Sequence, residues 1–188
     1  DSKQFQMNTL ETVRGAAATL LDRGADRIYL FNYMDSQTAM DDLENYPTLL
    51  REAGHPETLT GKPRRHVLTF ADTWAPGEAR AIPLPTECAA DRWYSFRLAT
   101  GPVPESGKVH VLLGMEEIAE TNVVNSELRV NGEVCQLTGT TELKRPKPDA
   151  PVFKFAIPLS LLRRGYNVIE FQPKQACRIV WVEIAMDR

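Results

Sequence analysis

Arg178-Ile179-Val180-Trp181-Val182-Glu183-Ile184-Ala185-Met186 decides the fold. Its side chains alternate, as a β-strand's do when successive residues point to opposite faces. Val180, Val182, Ile184 and Met186 are expected on one side, Trp181 and Glu183 on the other. Working back towards residue 66, the same period of two recurs in short runs. They are His66–Phe70, Glu78–Leu84, Trp93–Ala99, Lys108–Leu113, Glu127–Val130, Glu133–Leu137, Val152–Ile157 and Asn167–Phe171. No helical pattern separates them, and turn residues do. That spacing predicts a mainly β chain, an antiparallel β-sandwich or jelly roll. Asn131-Gly132 suits a two-residue hairpin turn, because both positions tolerate positive φ. Lys144–Pro151 reads as a loop between strands.

Before residue 60 the pattern differs. Asn8 followed by Glu11 reads as a capping box, and Leu10, Val13, Ala17, Leu20 and Leu21 then recur on one helical face. Gly24 stands where a left-handed C-terminal cap belongs. Arg27–Tyr33 is apolar on both faces in its centre, which predicts a buried parallel strand. Asn45–Ala53 predicts a second helix, with Pro47 in its first turn and Gly54 ending it. The chain therefore divides into an α-β-α segment over 1–60 and a β-sandwich over 61–188. The run Lys62–Arg65 reads as a solvated linker between them. A lone parallel strand needs neighbours, so residues 8–54 are expected either to be the end of a larger α/β domain or to lend their strand to the following sheet.

The chain has 188 residues, 43% of them hydrophobic and 25% charged, which fits a globular chain and not a disordered one. Its net charge of −3 carries no polybasic footprint, so no nucleic-acid partner is expected. No apolar run reaches the ~20 residues of a membrane span, so no transmembrane segment is expected. The opening Asp1-Ser2-Lys3-Gln4 has neither an initiator Met nor a signal peptide, which suggests a processed protein or a piece of a longer one. Cys88, Cys135 and Cys177 match neither a zinc spacing nor a disulfide framework; they read as small buried hydrophobes and leave the redox compartment open.

Two resemblances add to this reading. Arg14–Ala18, Gly24–Tyr33 and Leu49–Gly54 resemble the closing helix, eighth strand and following helix of a glycoside-hydrolase-like (β/α)8-barrel family, mostly bacterial and secreted. Leu128–Gly132, Phe155–Pro158, Leu161-Leu162 and Arg164–Phe171 resemble galactose-binding-like jelly-roll modules that accompany carbohydrate-active enzymes. In the second pattern Gly165 suits a left-handed turn, and Asn167 can bond loop backbone where the next strand begins. Together they imply the C-terminal part of a glycoside-hydrolase-like protein: a last barrel unit followed by an accessory sandwich. What they imply of function is an extracytoplasmic, periplasmic or secreted, non-catalytic region that braces the barrel or binds glycan. Its implied partners are the missing N-terminal barrel of the same protein and a glycan. This is fold analogy, and function must be argued from the site.

By that resemblance Asn32 and Tyr33 would line a sugar site at the strand's C-terminal end. Trp74, Trp93, Tyr94 and Trp181 are candidate stacking rings for sugar C–H faces, with Arg97 or Arg92 supplying hydrogen bonds. Packing in the core is the competing role for Trp93 and Trp181. Glu116, Glu117 and Glu120 are oxygen-rich candidates for a structural calcium; otherwise they form a surface loop, and no other cofactor is implied. Glycosidases need two carboxylates ~5–10 Å apart. Asp41-Asp42 and Glu116-Glu117 are adjacent in sequence and so point apart, which assigns no catalytic residue here. His66 follows three cations, where its protonation is disfavoured. Two rival readings stay open: a stand-alone carbohydrate-binding module, and a small self-sufficient hydrolase drawing on Asp35, Asp72 and His66.

Overall fold

Among the described residues, nine antiparallel strands form two faces around an apolar core. The computed structural model describes residues 8–30, 40–68, 84–143 and 148–187. The strands are β1 (Arg64–Val67), β2 (Thr86–Cys88), β3 (Tyr94–Ala99), β4 (Lys108–Glu116), β5 (Glu127–Val130), β6 (Glu133–Thr141), β7 (Val152–Ile157), β8 (Tyr166–Gln172) and β9 (Cys177–Asp187). Their order is β1-β9-β4-β7-β6-β5-β8-β3, with β2 also paired to β9. The mainly β class expected from the period of two is the one observed.

β6 joins the two faces. Its first residues, to Cys135, pair with β5, and from Gln136 onward it pairs with β7. A larger sheet (β1 and β2 end to end on β9, then β4, β7 and the far half of β6) therefore packs on a smaller one (near half of β6, β5, β8, β3). The core between them holds Val111, Leu113, Phe155, Ile169, Phe171 and Ile184, all nearly inaccessible. Phe155 and Phe171 meet edge to face, with ring centroids 6.4 Å apart.

Two local readings of the strands hold, and one is corrected. Asn131 and Gly132 both take positive φ, at 54° and 93°, in the turn between β5 and β6. Asn167 is fully buried and accepts from Arg163 N–H at 2.9 Å while donating to the Arg163 carbonyl at 3.0 Å. Asn131 donates to Asn167 Oδ1 at 2.9 Å, so the two carboxamides tie the hairpin to the start of β8. Val180, by contrast, does not share the core side with Val182, Ile184 and Met186. The β4–β9 register shifts there: Gly114 faces Trp181, but Met115 faces Ile179. The extra residue is a bulge, which reverses which parity faces inward.

The N-terminal segment is mostly helical. Helix α1 (Leu10–Asp22) starts one residue later than expected: Thr9 is its cap, boxed with Thr12 instead of Glu11. Gly24 follows it at φ 96°. After a single 3-10 turn at Leu43–Asn45 come α2 (Tyr46–Glu52), with Pro47 in its first turn, and α3 (Pro56–Leu59). These elements have their own small core of Leu10, Val13, Ala17, Met40, Leu49 and Leu59. A fourth helix, α4 (Glu120–Val124), precedes β5. The strand expected over 27–33 is not formed in its described part, Arg27–Leu30. Ile28 and Leu30 pack on the helical core, whereas Tyr29 is 85% exposed. One apolar face is covered, not two. Residues 31–33, 69–70 and 78–83 of the expected strands lie outside the described residues.

Candidate functional site

β1 is where the helical segment meets the sandwich. α1 lies so close to it that a Cβ on Gly15 would stand 2.0 Å from the Arg65 carbonyl oxygen. Only a residue without a side chain permits that approach. Thr19, a turn further along, donates its hydroxyl to the Ala99 carbonyl at 3.1 Å and sits 3.1 Å from His66 Nδ1. The run Lys62–Arg65 is thus not a solvated linker. Arg64 opens β1 and is buried, and its guanidinium donates to the Pro102 carbonyl. Lys62 and Arg14 both pair with Glu52. Burial opposes charge on Glu52, but the hydrogen bonds and charges of Arg14 and Lys62 win and hold its carboxyl below the ordinary value.

Glu183 is the centre of this junction. It projects from β9 on the face away from the main core, and its side chain is fully buried. Arg65 grips it with two parallel bonds, Nε to Oε1 at 2.6 Å and Nη2 to Oε2 at 2.7 Å. Trp181, two residues earlier on the same face, donates its indole N–H to Oε2 at 2.9 Å. A carboxylate with three donors on it is a structural anchor. These donors fill three of its roughly four lone-pair sites. Trp181 is accordingly a packing residue at the junction.

His66 is neutral. Burial, and then the charge of Arg64, push its pKa down to about 3. The Thr19 hydroxyl is shared between the Ala99 carbonyl and His66 Nδ1, and among the described residues His66 Nε2 has no hydrogen-bond partner. Asp35 and Asp72, the other groups of the hydrolase reading, lie outside the described residues.

Beside the junction a groove of about 400 Å³ runs between the helical segment and the outer face of the larger sheet. Glu11, Asp41 and Asp42 line one wall; His110, Lys154 and Arg65 line the other. Asp41 has a raised pKa, from burial first and then from Glu11 and Asp42, against hydrogen bonds that lower it. Burial, with the charge of Lys154, lowers that of His110, which faces Asp187 at 3.5 Å.

A second surface collects sequence candidates. Arg97 is exposed on β3, and Trp93, immediately before that strand, has the same parity and is also exposed. Trp93 is 40% exposed, with the guanidinium of Arg129 stacked 4.4 Å from its ring centre. Arg97 lies 4.5 Å over the ring of Tyr166. Arg129 and Tyr166 were not among the sequence candidates; Arg129 lies in the expected strand Glu127–Val130, and Tyr166 opens β8 one residue before the expected Asn167–Phe171. Four residues of strand separate the two ring–arginine pairs by ~13 Å, the length of a short oligosaccharide. Tyr94 turns inward against the core, its hydroxyl accepting from Ala89 N–H at 2.7 Å. Asn32, Tyr33 and Trp74 lie outside the described residues.

Glu116 pairs with Arg178 at 3.1 Å, the Glu117 carbonyl accepts from Gln175, and Glu120 opens α4. Among the described residues no group of three or more His, Cys, Asp or Glu is arranged for a metal ion. None of their helices is long and apolar enough to cross a membrane.

No family model matches the chain, and no curated protein does. Among solved structures it is similar to BuGH86 in complex with neoagarooctaose, at 18% identity and a TM-score of 0.43 over 66% of this chain. It is also similar to BpGH86A, a β-porphyranase of glycoside hydrolase family 86 from the human gut bacterium Bacteroides plebeius, at 11% identity and a TM-score of 0.45 over 67% of this chain. The chain spans 18–20% of the length of those proteins. Overlap of that strength carries no assignment of activity or ligand.

Proposed function

We propose that this region is a non-catalytic accessory sandwich of a glycoside-hydrolase-like protein, and that its work is to brace the helical segment in front of it. The observation that supports this reading is the seating of α1 on β1, with the Gly15 backbone against the Arg65 carbonyl. Around that contact every buried carboxylate is spent on an ion pair or a hydrogen bond, which is what a joint needs and a hydrolytic site cannot use. On this reading the protein is extracytoplasmic.

Hydrogen exchange tests it. If the sandwich braces α1, the amides of Val13–Leu21 exchange with the same free energy as those of β4 and β9, in one cooperative unit. Replacing Gly15 by Val then lowers α1 protection selectively. Independent, low-energy opening of α1 in the unmodified protein would refute the brace. So would hydrolysis of an oligosaccharide panel that disappears in Asp41→Asn.

A second reading, glycan binding, is favoured by the ring–arginine pairs on the smaller sheet. Trp93 has one guanidinium against it and the arginines keep N–H donors for a sugar chain lying along the strands, whereas Tyr166 has a second guanidinium, that of Arg23, 5.6 Å from its ring centre. A titration with galactose- and glucose-based oligosaccharides, followed by tryptophan fluorescence, tests it. Binding should fall at least tenfold in both Trp93→Ala and Arg97→Ala. Binding unchanged in both variants removes this surface as the site.

A further inference from the structure

Cys88 and Cys177 are 89 residues apart in sequence and directly opposite in space. β2 pairs with β9 in the register Thr86 to Ile179, Glu87 to Arg178 and Cys88 to Cys177. Opposed residues of an antiparallel pair point to the same face, and here both side chains enter the main core, 4% and 3% exposed. Opposed Cα atoms in such a ladder stand ~4.5–5.5 Å apart, inside the ~4.4–6.8 Å that a disulfide spans. The Cys88 thiol turns to the Thr86 carbonyl at 3.6 Å. In the structure both are free thiols, as is Cys135. Cys135 is differently placed: it is buried on β6 with Leu128 as its ladder partner, and its thiol turns to the Glu133 carbonyl at 3.6 Å.

We propose that Cys88 and Cys177 are an oxidisable pair that forms a cross-strand disulfide, fastening β2 to β9, when the protein meets a small-molecule or enzymatic disulfide. The bond needs no rearrangement of the sheet, since the register has brought both β-carbons to one side.

The chemistry is thiol–disulfide exchange. The Cys177 thiolate attacks one sulfur of a disulfide such as oxidised glutathione, whose S–S bond breaks and releases one glutathione thiolate. The Cys88 thiolate then attacks the Cys177 sulfur of the mixed disulfide and expels the second glutathione. The protein loses two electrons and two protons; the glutathione disulfide takes up both as two thiols. Access comes from the edge. β2 is three residues long and has one ladder neighbour among the described strands, so it opens more readily than any central strand.

The test is thiol counting. The protein is held in oxidised and reduced glutathione, once native and once while refolding from denaturant. It is then quenched in acid, alkylated in denaturant and mapped by mass spectrometry. The expected oxidised form is a monomer with one alkylated cysteine, Cys135, and a linked pair of peptides carrying Cys88 and Cys177. Dithiothreitol should return all three thiols and lower the melting temperature. Cys88→Ser and Cys177→Ser should each abolish the link, and Cys135→Ser should leave it intact. Three alkylated cysteines after both treatments, a bond involving Cys135, or a cross-link between two chains would each overturn the proposal. The refolding arm removes burial as an escape, because there the thiols meet the oxidant before the core closes.

Discussion

Replacing Glu183 by Ala should cost more than any other single change in a polar side chain. The carboxylate is fully buried and accepts three hydrogen bonds, two from Arg65 and one from Trp181. Removing it takes the carboxylate away from the Arg65 guanidinium, which is 11% exposed. Breaking a buried pair on one side costs ~3–5 kcal/mol, and an orphaned buried N–H adds ~1–3 where the site cannot admit water. The two overlap, so the expected loss is about 4 kcal/mol, which is a melting shift of about 10 °C for a chain of this size. Urea unfolding with a fixed m-value measures it. The double change Arg65→Met with Glu183→Leu should recover about half of that loss, because two apolar groups replace the pair without stranding a charge. A loss below ~1 kcal/mol for Glu183→Ala would show that water or relaxation solvates Arg65. A double variant no better than Glu183→Ala would show that the pair is not coupled. Either result refutes the junction as described.

His66 gives a pH test. Its folded pKa of about 3 lies below the ordinary 6.5, so the unfolded chain takes up the proton first. Stability should therefore fall as pH drops below 6.5, at up to ~1.4 kcal/mol per pH unit, until about pH 3. His66→Gln should flatten that slope between pH 6 and about pH 4; equal slopes in urea midpoints for the two proteins would refute the buried neutral imidazole. Asn167→Ala should cost about 3 kcal/mol, since the Arg163 backbone and the Asn131 carboxamide lose their partner together; a loss under ~1 kcal/mol in the same unfolding assay would contradict that. Gly101→Ala should destabilise by ~2 kcal/mol, because the new Cβ would meet the Ala18 carbonyl oxygen at 2.8 Å and φ there is 67°. Differential scanning calorimetry showing an unchanged melting temperature would exclude that contact.

The sandwich was legible because its strands alternate cleanly, and Val152–Ile157 and Glu127–Val130 fall within their expected bounds. Val180 misled because a bulge is set by the partner strand, Gly114–Met115, and leaves no mark on its own strand. The charged junction was not legible for a related reason. Lys62–Arg65 has the composition of a solvated run, and Glu183 alternates like any outward residue of a half-wet strand. The run is covered by α1, whose Gly15 meets Arg65 fifty positions later in the chain, and Glu183 is in turn clasped by Arg65. The doubly apolar reading of Arg27–Tyr33 counted Tyr29 as a core residue, but a tyrosine is amphipathic, and the structure turns it outward. Trp93 and Arg97 were named from sequence because each belongs to a type suited to sugars. Their companions Arg129 and Tyr166 come from other strands, and only the strand order β5-β8-β3 brings them alongside.

The pairing of β1 with β9 has a mechanical consequence. Arg64, where β1 begins, lies opposite Met186, near the end of β9. A pull between the helical segment and the C-terminal end of β9, beside Arg64, therefore loads one rung of this ladder at a time, as in opening a zipper. Such a seam yields at low force unless its mouth is reinforced. The clasp of Arg65 on Glu183 bridges the seam within this four-rung stretch, so the tether should hold under traction until that single ionic latch lets go.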